Sequence, residues 1–241
     1  MIVLFTDFGL AGPYTGQMKA VLARAAPQVP VIDLFADAPA FDSRLSAYLL
    51  AAYAGAFTAG DVFLCVVDPG VGTARRPLAV SADGRWFVGP DNGLFELVIR
   101  RADTARVWAI DWRPEVLSAT FHGRDLFAPV AAILAQGGEP PGTPLPPDDV
   151  VRPGWPDDLA RVVYVDVYGN VLTGLRASGL PDAAVLEVAG RRVRRGRTFA
   201  DVPPGEALWY ANANGLAEIA VNRGRADVVL GVAVGAGVAV V

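Results

Sequence analysis

The sequence predicts an α/β fold followed by an all-β one: an N-terminal, mainly parallel sheet with helices on both faces, then a smaller barrel or sandwich. Three observations carry this. Up to about residue 138, apolar runs of strand length alternate with amphipathic stretches of helical period, the pattern of a sheet with crossover helices. A segment dense in proline, glycine and aspartate follows, of a composition that makes a semi-rigid linker. Beyond it come short β-rich runs separated by Gly-Asn, Gly-Arg and Asn-Arg-Gly, with no long helical period. The expected division is 1–138 for the α/β domain, 139–158 for the linker and 159–241 for the β domain, with no internal repeat.

In chain order, Ile2 to Thr6 reads as a first strand, and an amphipathic helix follows from about Pro13 through Met18, Val21 and Leu22 to Ala26. Val29 to Leu34 is a second strand. Asp42 and Ser43 offer N-caps to a helix carrying Leu45, Tyr48, Leu49 and Ala52. The uninterrupted run Val62 to Val67 is a buried strand. Leu78 to Val80 and Trp86 to Val88 flank a turn at Asp83-Gly84, and a helix is expected from Leu94 to about Arg101. Another helix begins at Asp125 and is ended by Gly137-Gly138. In the β domain the expected strands are Val162–Val167, Val171–Leu175, Ala184–Val188, Ala207–Tyr210, Leu216–Val221 and Val228–Val232.

Composition excludes several function classes. A net charge of −4 over 241 residues is the wrong sign for a phosphate-backbone partner. The one basic cluster, Arg191-Arg192-Val193-Arg194-Arg195, lies between Gly190 and Gly196 and reads as a solvated hairpin. The single cysteine, Cys65, falls inside an apolar strand, which suits a small core residue in a reducing cytoplasm. The N-terminal apolar run has no basic region before it and only a strand's length, so it is not expected to be a signal peptide. The uncharged stretch 228–241 is too short and too glycine-rich to span a bilayer. One histidine and one cysteine give no metal-ligand spacing, and neither a metal nor a separate cofactor is expected. At 53% hydrophobic residues, the chain also suits a surface partly covered by a partner subunit.

The stretch most suggestive of chemistry is Val67-Asp68-Pro69-Gly70-Val71-Gly72, with Arg75 just beyond. A buried strand stops at a carboxylate followed by a sharp turn, and ligands of α/β sheets bind just past the carboxyl ends of strands. Four other segments stand in order with it: Thr6-Asp7-Phe8-Gly9, Gly89-Pro90-Asp91-Asn92-Gly93, Phe121-His122-Gly123-Arg124-Asp125, and Asp166-Val167-Tyr168-Gly169-Asn170-Val171-Leu172-Thr173. Taken together over nearly the whole length, they resemble the S-adenosylmethionine hydroxide adenosyltransferases, adenosine-forming hydrolases related to the fluorinase and chlorinase halogenases. The resemblance implies attack of water or hydroxide on C5′ of S-adenosylmethionine, giving adenosine and methionine, with Asp68, Arg75 and His122 as the catalytic trio. It implies that Asp7 binds the ribose hydroxyls, that Phe41 packs against the ribose, and that Asp166 meets the methionine ammonium. Tyr168 would stack on adenine and Asn170 would read its edge. Asn212, Ala213 and Asn214 fall in the region that holds the methionine carboxylate. A homotrimer with active sites between subunits is implied in the same way.

Departures bear on these expectations. The halogenases carry arginine and serine at about Asn214 and Ala213, so the carboxylate is expected on Asn212 and main-chain N–H groups. Gly174 stands where the family often has asparagine. Tyrosine stands at the Asp68 position in fluorinase-type enzymes, and a carboxylate there repels a halide but welcomes water. The alternatives are a halide-using adenosyl transferase, a non-catalytic S-adenosylmethionine or adenosine sensor, and a phosphatase with Mg²⁺ on Asp7, Asp68 and Asp91.

Overall fold

Alternate residues of the early strands face opposite ways, and this periodicity sets the layers of the N-terminal unit. The structure, a computed structural model, describes residues 1–241 and divides into two units, Met1–Pro153 and Gly154–Val241. In the first, β1 (Ile2–Thr6) and β3 (Val62–Val66) are buried along their whole length. Ile2, Leu4, Val62, Leu64 and Val66 point into one core, which they share with Met18 and Leu22 of α1 (Tyr14–Ala25) and with α4 (Ala128–Ala135). Phe5 and Phe63 point the other way and pack edge-on or stacked with Phe35, Phe57 and Phe87. That second face is covered by α2 (Ser43–Ala54), whose Tyr53 meets Phe35, and by α3 (Glu96–Arg100). The Asp42 side chain caps α2 through the Leu45 N–H at 2.9 Å, as expected.

The sheet is mixed rather than mainly parallel. With β2 (Val31–Phe35), β4 (Pro77–Ala82), β5 (Arg85–Pro90), β6 (Ala105–Ile110) and β7 (Gly142–Leu145), the order is β2-β1-β3-β5-β4-β6-β7. The first four run parallel; β4, β6 and β7 add antiparallel pairings. The antiparallel half arises because β4 and β5 form a hairpin through Asp83 and Gly84, both at positive φ, and its second strand docks on β3. The region read as a linker carries more structure than its composition suggests. Gly142–Leu145 closes the sheet as an edge strand, where Pro144 is tolerated because an edge needs no donor on its outer side. A single 3₁₀ turn, Pro147–Asp149, follows.

The second unit has two antiparallel sheets around one core that includes Leu186, Val193, Trp209 and Ile219. One sheet is β12-β13-β9-β8, from β8 (Leu159–Val165), β9 (Val171–Arg176), β12 (Ala207–Ala211) and β13 (Leu216–Val221). The other is β11-β10-β14, from β10 (Val185–Val188), β11 (Arg191–Arg194) and β14 (Val238–Val240). Single bridges, Arg195 to Trp209 and Arg161 to Gly237, link their edges into a barrel-like ring. The arginine cluster forms the expected hairpin. Val228–Val232 is not a strand: Ala226–Leu230 forms α5, ended by Gly231 at φ 66°. Apolar runs this short do not distinguish strand from helix, and here a left-handed glycine cap decided for the helix.

Candidate active site

The carboxyl end of β3 carries the loop expected to matter, and other segments brace it. Asn92, in the Gly-Pro-Asp-Asn-Gly turn after β5, donates its amide to the Val67 carbonyl at 2.8 Å, while Asp91 accepts from Arg76 (2.8 Å) and Arg152 (3.0 Å). These two residues therefore fix the ends of the loop, a role that sequence reading did not assign to them. Gly72 lies at φ 78°, and a Cβ there would stand 2.5 Å from the Ala119 carbonyl oxygen. Only glycine lets the Asp68–Arg75 loop approach the backbone that leads into His122.

That approach brings together side chains 54 residues apart in sequence. Arg75 Nε donates to Asp68 Oδ1 at 2.8 Å, its Nη2 donates to Asp68 Oδ2, and the same Nη2 lies 3.1 Å from His122 Nδ1. The fork is held flat over the Phe127 ring, 5.1 Å from its centroid. Both charged side chains are nearly buried, at 9% and 4% exposure for Arg75 and Asp68. A guanidinium cannot accept a hydrogen bond, so Nδ1 is the acceptor and the neutral ring carries its proton on Nε2. Burial first, and then the Arg75 charge, hold the His122 imidazolium below the usual histidine range, which keeps that tautomer neutral.

His122 enters the fold at the start of a π-helical turn, Gly123–Phe127, that leads into α4; such turns recur at functional positions. Gly123 packs there without a side chain, since a Cβ would meet Met18 Sδ at 3.2 Å. Asp125 accepts the Ser118 N–H at 2.9 Å and two bonds from Arg124, which reaches Gln17 of α1 at 2.9 Å. This clip holds the loop that precedes His122.

A cleft of about 490 Å³ opens beside the trio, and Asp7, Phe41, Asp68 and His122 all line it. Asp7, just past β1, accepts the Phe41 N–H at 3.0 Å. Burial, opposed by that hydrogen bond, raises its pKa above the ordinary carboxylate value. Phe41 is 78% exposed and sits at φ 61°, a left-handed conformation that a non-glycine residue adopts only where its surroundings enforce it. Phe8, Tyr14 and Phe121 line the same cleft and were missed from sequence, although Phe8 follows Asp7 and Phe121 precedes His122 directly.

The remaining expected residues lie in the second unit, where they form two polar turns. Asp166 Oδ1 accepts the N–H groups of Tyr168 (2.9 Å) and Asn170 (2.8 Å), and Oδ2 accepts the Asn170 side chain at 3.0 Å. Tyr168 is 73% exposed. Asn212 is spent on its own turn: Oδ1 accepts the N–H of Asn214 and of Leu216 at 3.0 Å, and Nδ2 donates to Glu218 at 3.0 Å. Ala213 is exposed and Asn214 half-exposed at the tip of that turn.

Asp7, Asp68 and Asp91 do not gather as a metal-ligand group, and the last two already face arginines. The donor set does not fit the Mg²⁺ alternative.

Residues 2–143 match the model of the SAM hydroxide adenosyltransferase N-terminal domain, and residues 160–239 that of the C-terminal domain. The chain is 42% identical to an "(R)-S-adenosyl-L-methionine hydrolase" of Thermus thermophilus over 95% of each chain, and equally identical to one of Salinispora arenicola over 95% of this chain and 93% of that one. A fluorinase of Nocardia brasiliensis is 25% identical over 92% of this chain and 90% of its own. Among solved structures, an uncharacterized conserved protein of Thermotoga maritima superposes with a TM-score of 0.90 at 32% identity, covering all of both chains. The chain therefore belongs to the SAM hydroxide adenosyltransferase family.

Proposed function

We propose that this protein hydrolyses S-adenosyl-L-methionine, water or hydroxide attacking C5′ to give adenosine and L-methionine. The observation that carries the reading is the Asp68–Arg75–His122 cluster at the wall of a cleft that also holds Asp7. The sulfonium leaves as a neutral thioether, taking the C5′–S bonding pair, so the enzyme need not protonate it. The demand falls on the nucleophile, because water is a very weak acid. The water oxygen bonds to C5′ and gives up a proton. The Nε2–H of His122 is a donor that can hold the water or hydroxide oxygen, while its Nδ1 lone pair is already engaged by Arg75. Asp68, whose two oxygens keep lone pairs beyond the Arg75 bonds, is then the acceptor for the proton, and the fixed Arg75 charge stabilises hydroxide as it forms.

Asp7 is assigned to the ribose diol, Phe41 to the ribose face, Tyr168 to stacking on adenine, and the second amide hydrogen and the carbonyl of Asn170 to the adenine edge. Asp166 keeps a free lone pair for the methionine ammonium. Asn214 and the Ala213 N–H are assigned to the methionine carboxylate, with Asn212 as their frame. The relatives' name specifies the (R) configuration at sulfur, and the same preference is proposed here. Neither metal nor cofactor is invoked, and the carboxylate at position 68 disfavours a halide nucleophile. A homotrimer is proposed, with each cleft completed at a subunit interface; the exposed apolar surface of Phe41, Val167 and Tyr168 supports it. No helix is long and apolar enough to cross a membrane, and a cytoplasmic location is proposed from the buried free thiol of Cys65.

The test is a product chromatogram after incubation with each sulfonium epimer, with and without a chelator. Adenosine and methionine in equal amounts, unaffected by the chelator, are expected. Binding without any adenosine would replace this reading with that of a sensor. Light scattering on active protein should give three subunits, and a one-subunit mass would dismiss the interface sites.

A further inference from the structure

We propose that Phe8, Tyr14 and Phe121 form a wall that recognises the positive sulfur, so that the cleft distinguishes the sulfonium substrate from a neutral thioether of nearly the same shape. This rests on the reading of the cleft as an S-adenosylmethionine site.

The three rings come from the end of β1, the start of α1 and the loop before His122, and they close a triangle. Ring centroids lie 5.7 Å apart for Phe8–Tyr14, 5.9 Å for Phe8–Phe121 and 5.5 Å for Tyr14–Phe121. Interplanar angles of 52°, 78° and 87° make the contacts tilted or edge-on rather than stacked. None of the three is sealed in the core: Tyr14 is 50% exposed, and Phe8 and Phe121 are half-buried. All three line the cleft beside Asp7, Asp68 and His122. Ordinary core packing would have hidden such rings, whereas these keep aromatic surface toward the space where C5′ and sulfur must lie.

The electrostatics favour a cation there. Ring faces are negative and attract a positive group within about 6 Å. Phe121 already does so on its outer side, with the Arg124 guanidinium 5.0 Å from its centroid, and that contact fixes the triangle in place. Asp68 has its charge met by Arg75, but the bond given to Asp7 is the neutral Phe41 N–H, so the corner between Asp7 and the rings lacks a compensating cation. A sulfonium supplies one without needing a hydrogen bond, which it cannot make.

The chemistry gives the wall a specific consequence. Attack at C5′ removes the positive charge from sulfur, so the attraction exists before reaction and not after it. The wall therefore strengthens substrate binding and weakens hold on the thioether product. Because the attraction is a ground-state one, its loss raises KM without lowering kcat.

The test is calorimetry of S-adenosylmethionine and of its demethylated thioether, S-adenosylhomocysteine, in an Asp68→Asn background that does not consume the ligand. Tyr14→Leu is the first variant, since its position at the helix start tolerates loss of the ring, and Phe8→Leu is the second. S-adenosylmethionine should bind about 3- to 30-fold more weakly in each, the usual span of a cation–π contact, with the thioether changed less than twofold. In the Asp68-containing protein, the same changes should raise KM and leave kcat in place. Equal loss for both ligands would make the rings plain apolar walls, and no loss for either would remove them from the site; each overturns the inference while leaving hydrolysis standing. Failure of the unsubstituted cleft to bind S-adenosylmethionine would overturn the hydrolase reading, and this one with it, before any ring is changed.

Discussion

Asp68 in the first unit and Asp166 in the second each follow the end of a strand, β3 and β8, and each accepts three or fewer hydrogen bonds, yet from very different partners. Asp166 is satisfied within four residues by its own turn. Asp68 is held by Arg75, which in turn reaches His122, 54 residues away in sequence. A local turn forms wherever its five residues occur and stays rigid without help from the fold. The trio exists only when β3, the loop after it and the π-helical turn are all in place. The first arrangement presents a prebuilt surface for a ligand, and the second assembles charge at one point, as chemistry requires.

Substitutions in the trio should break this contrast most severely. Arg75→Lys keeps the charge but loses the fork that spans Asp68 and His122. Arg75→Lys, Asp68→Asn and His122→Ala should each lower kcat about 10²- to 10³-fold with little change in substrate affinity, and double variants should be hardly worse than single ones. Steady-state kinetics beside calorimetry checks this. Multiplying losses, or affinity falling in step with rate, would end the idea of a unit acting on one water. Lysine is preferred to alanine at position 75, since an unpaired buried carboxylate would cost about 3–5 kcal/mol of stability.

A smaller effect should separate the two binding aspartates. Removing the carboxylate in Asp7→Ala or Asp166→Ala should weaken S-adenosylmethionine by about 1.5–3 kcal/mol through a lost charged hydrogen bond. Asp166→Ala should also lower the melting temperature, because it unties three bonds of one turn, whereas Asp7→Ala gives up only the Phe41 N–H. If both variants melt alike, the division between a prebuilt turn and a fold-dependent site is wrong.

The smallest expected effect is on pH. Burial and Arg75 depress the His122 pKa, so the ring stays neutral to below its ordinary value of about 6.5. Protonation would turn Nδ1 into a second donor facing Arg75. The acid limb of kcat should therefore fall below pH 6.5 rather than at it. The unfolded chain binds more protons at that histidine, so its contribution to stability also declines as pH falls below about 6.5. An acid limb at or above 6.5 that disappears in His122→Ala would contradict the depressed value.

Much of this was legible because local chemistry decided it. The apolar runs that became β1 and β3, the Asp42 cap, the Asp83-Gly84 hairpin and the aspartate–glycine turns are all written in neighbouring residues. So was the trio, once its motifs were seen in order. What was not legible depended on tertiary partners. The docking of β5 on β3 made the sheet mixed, β6 (Ala105–Ile110) was passed over, and Gly142–Leu145 became a strand only because β6 offered an edge. The spending of Asn212 on Glu218 and two main-chain N–H groups could not be read from a polar tripeptide. Nor could the ring triangle, whose members are 6 and 107 residues apart along the chain.

His122 is the only histidine among the 241 residues, and its Nδ1 faces Arg75 while Nε2 carries the proton. The chain thus contains a single imidazole, and that imidazole stands where the water is to be activated. In nitrogen magnetic resonance it should give one pair of ring signals, one typical of a bare, hydrogen-bonded nitrogen and one of a protonated nitrogen, with no neighbouring histidine to confuse the assignment. The fold has placed its one spectroscopic reporter at the reacting centre, so titration, substrate arrival and the unpicking of the Arg75 fork can each be followed there without a label.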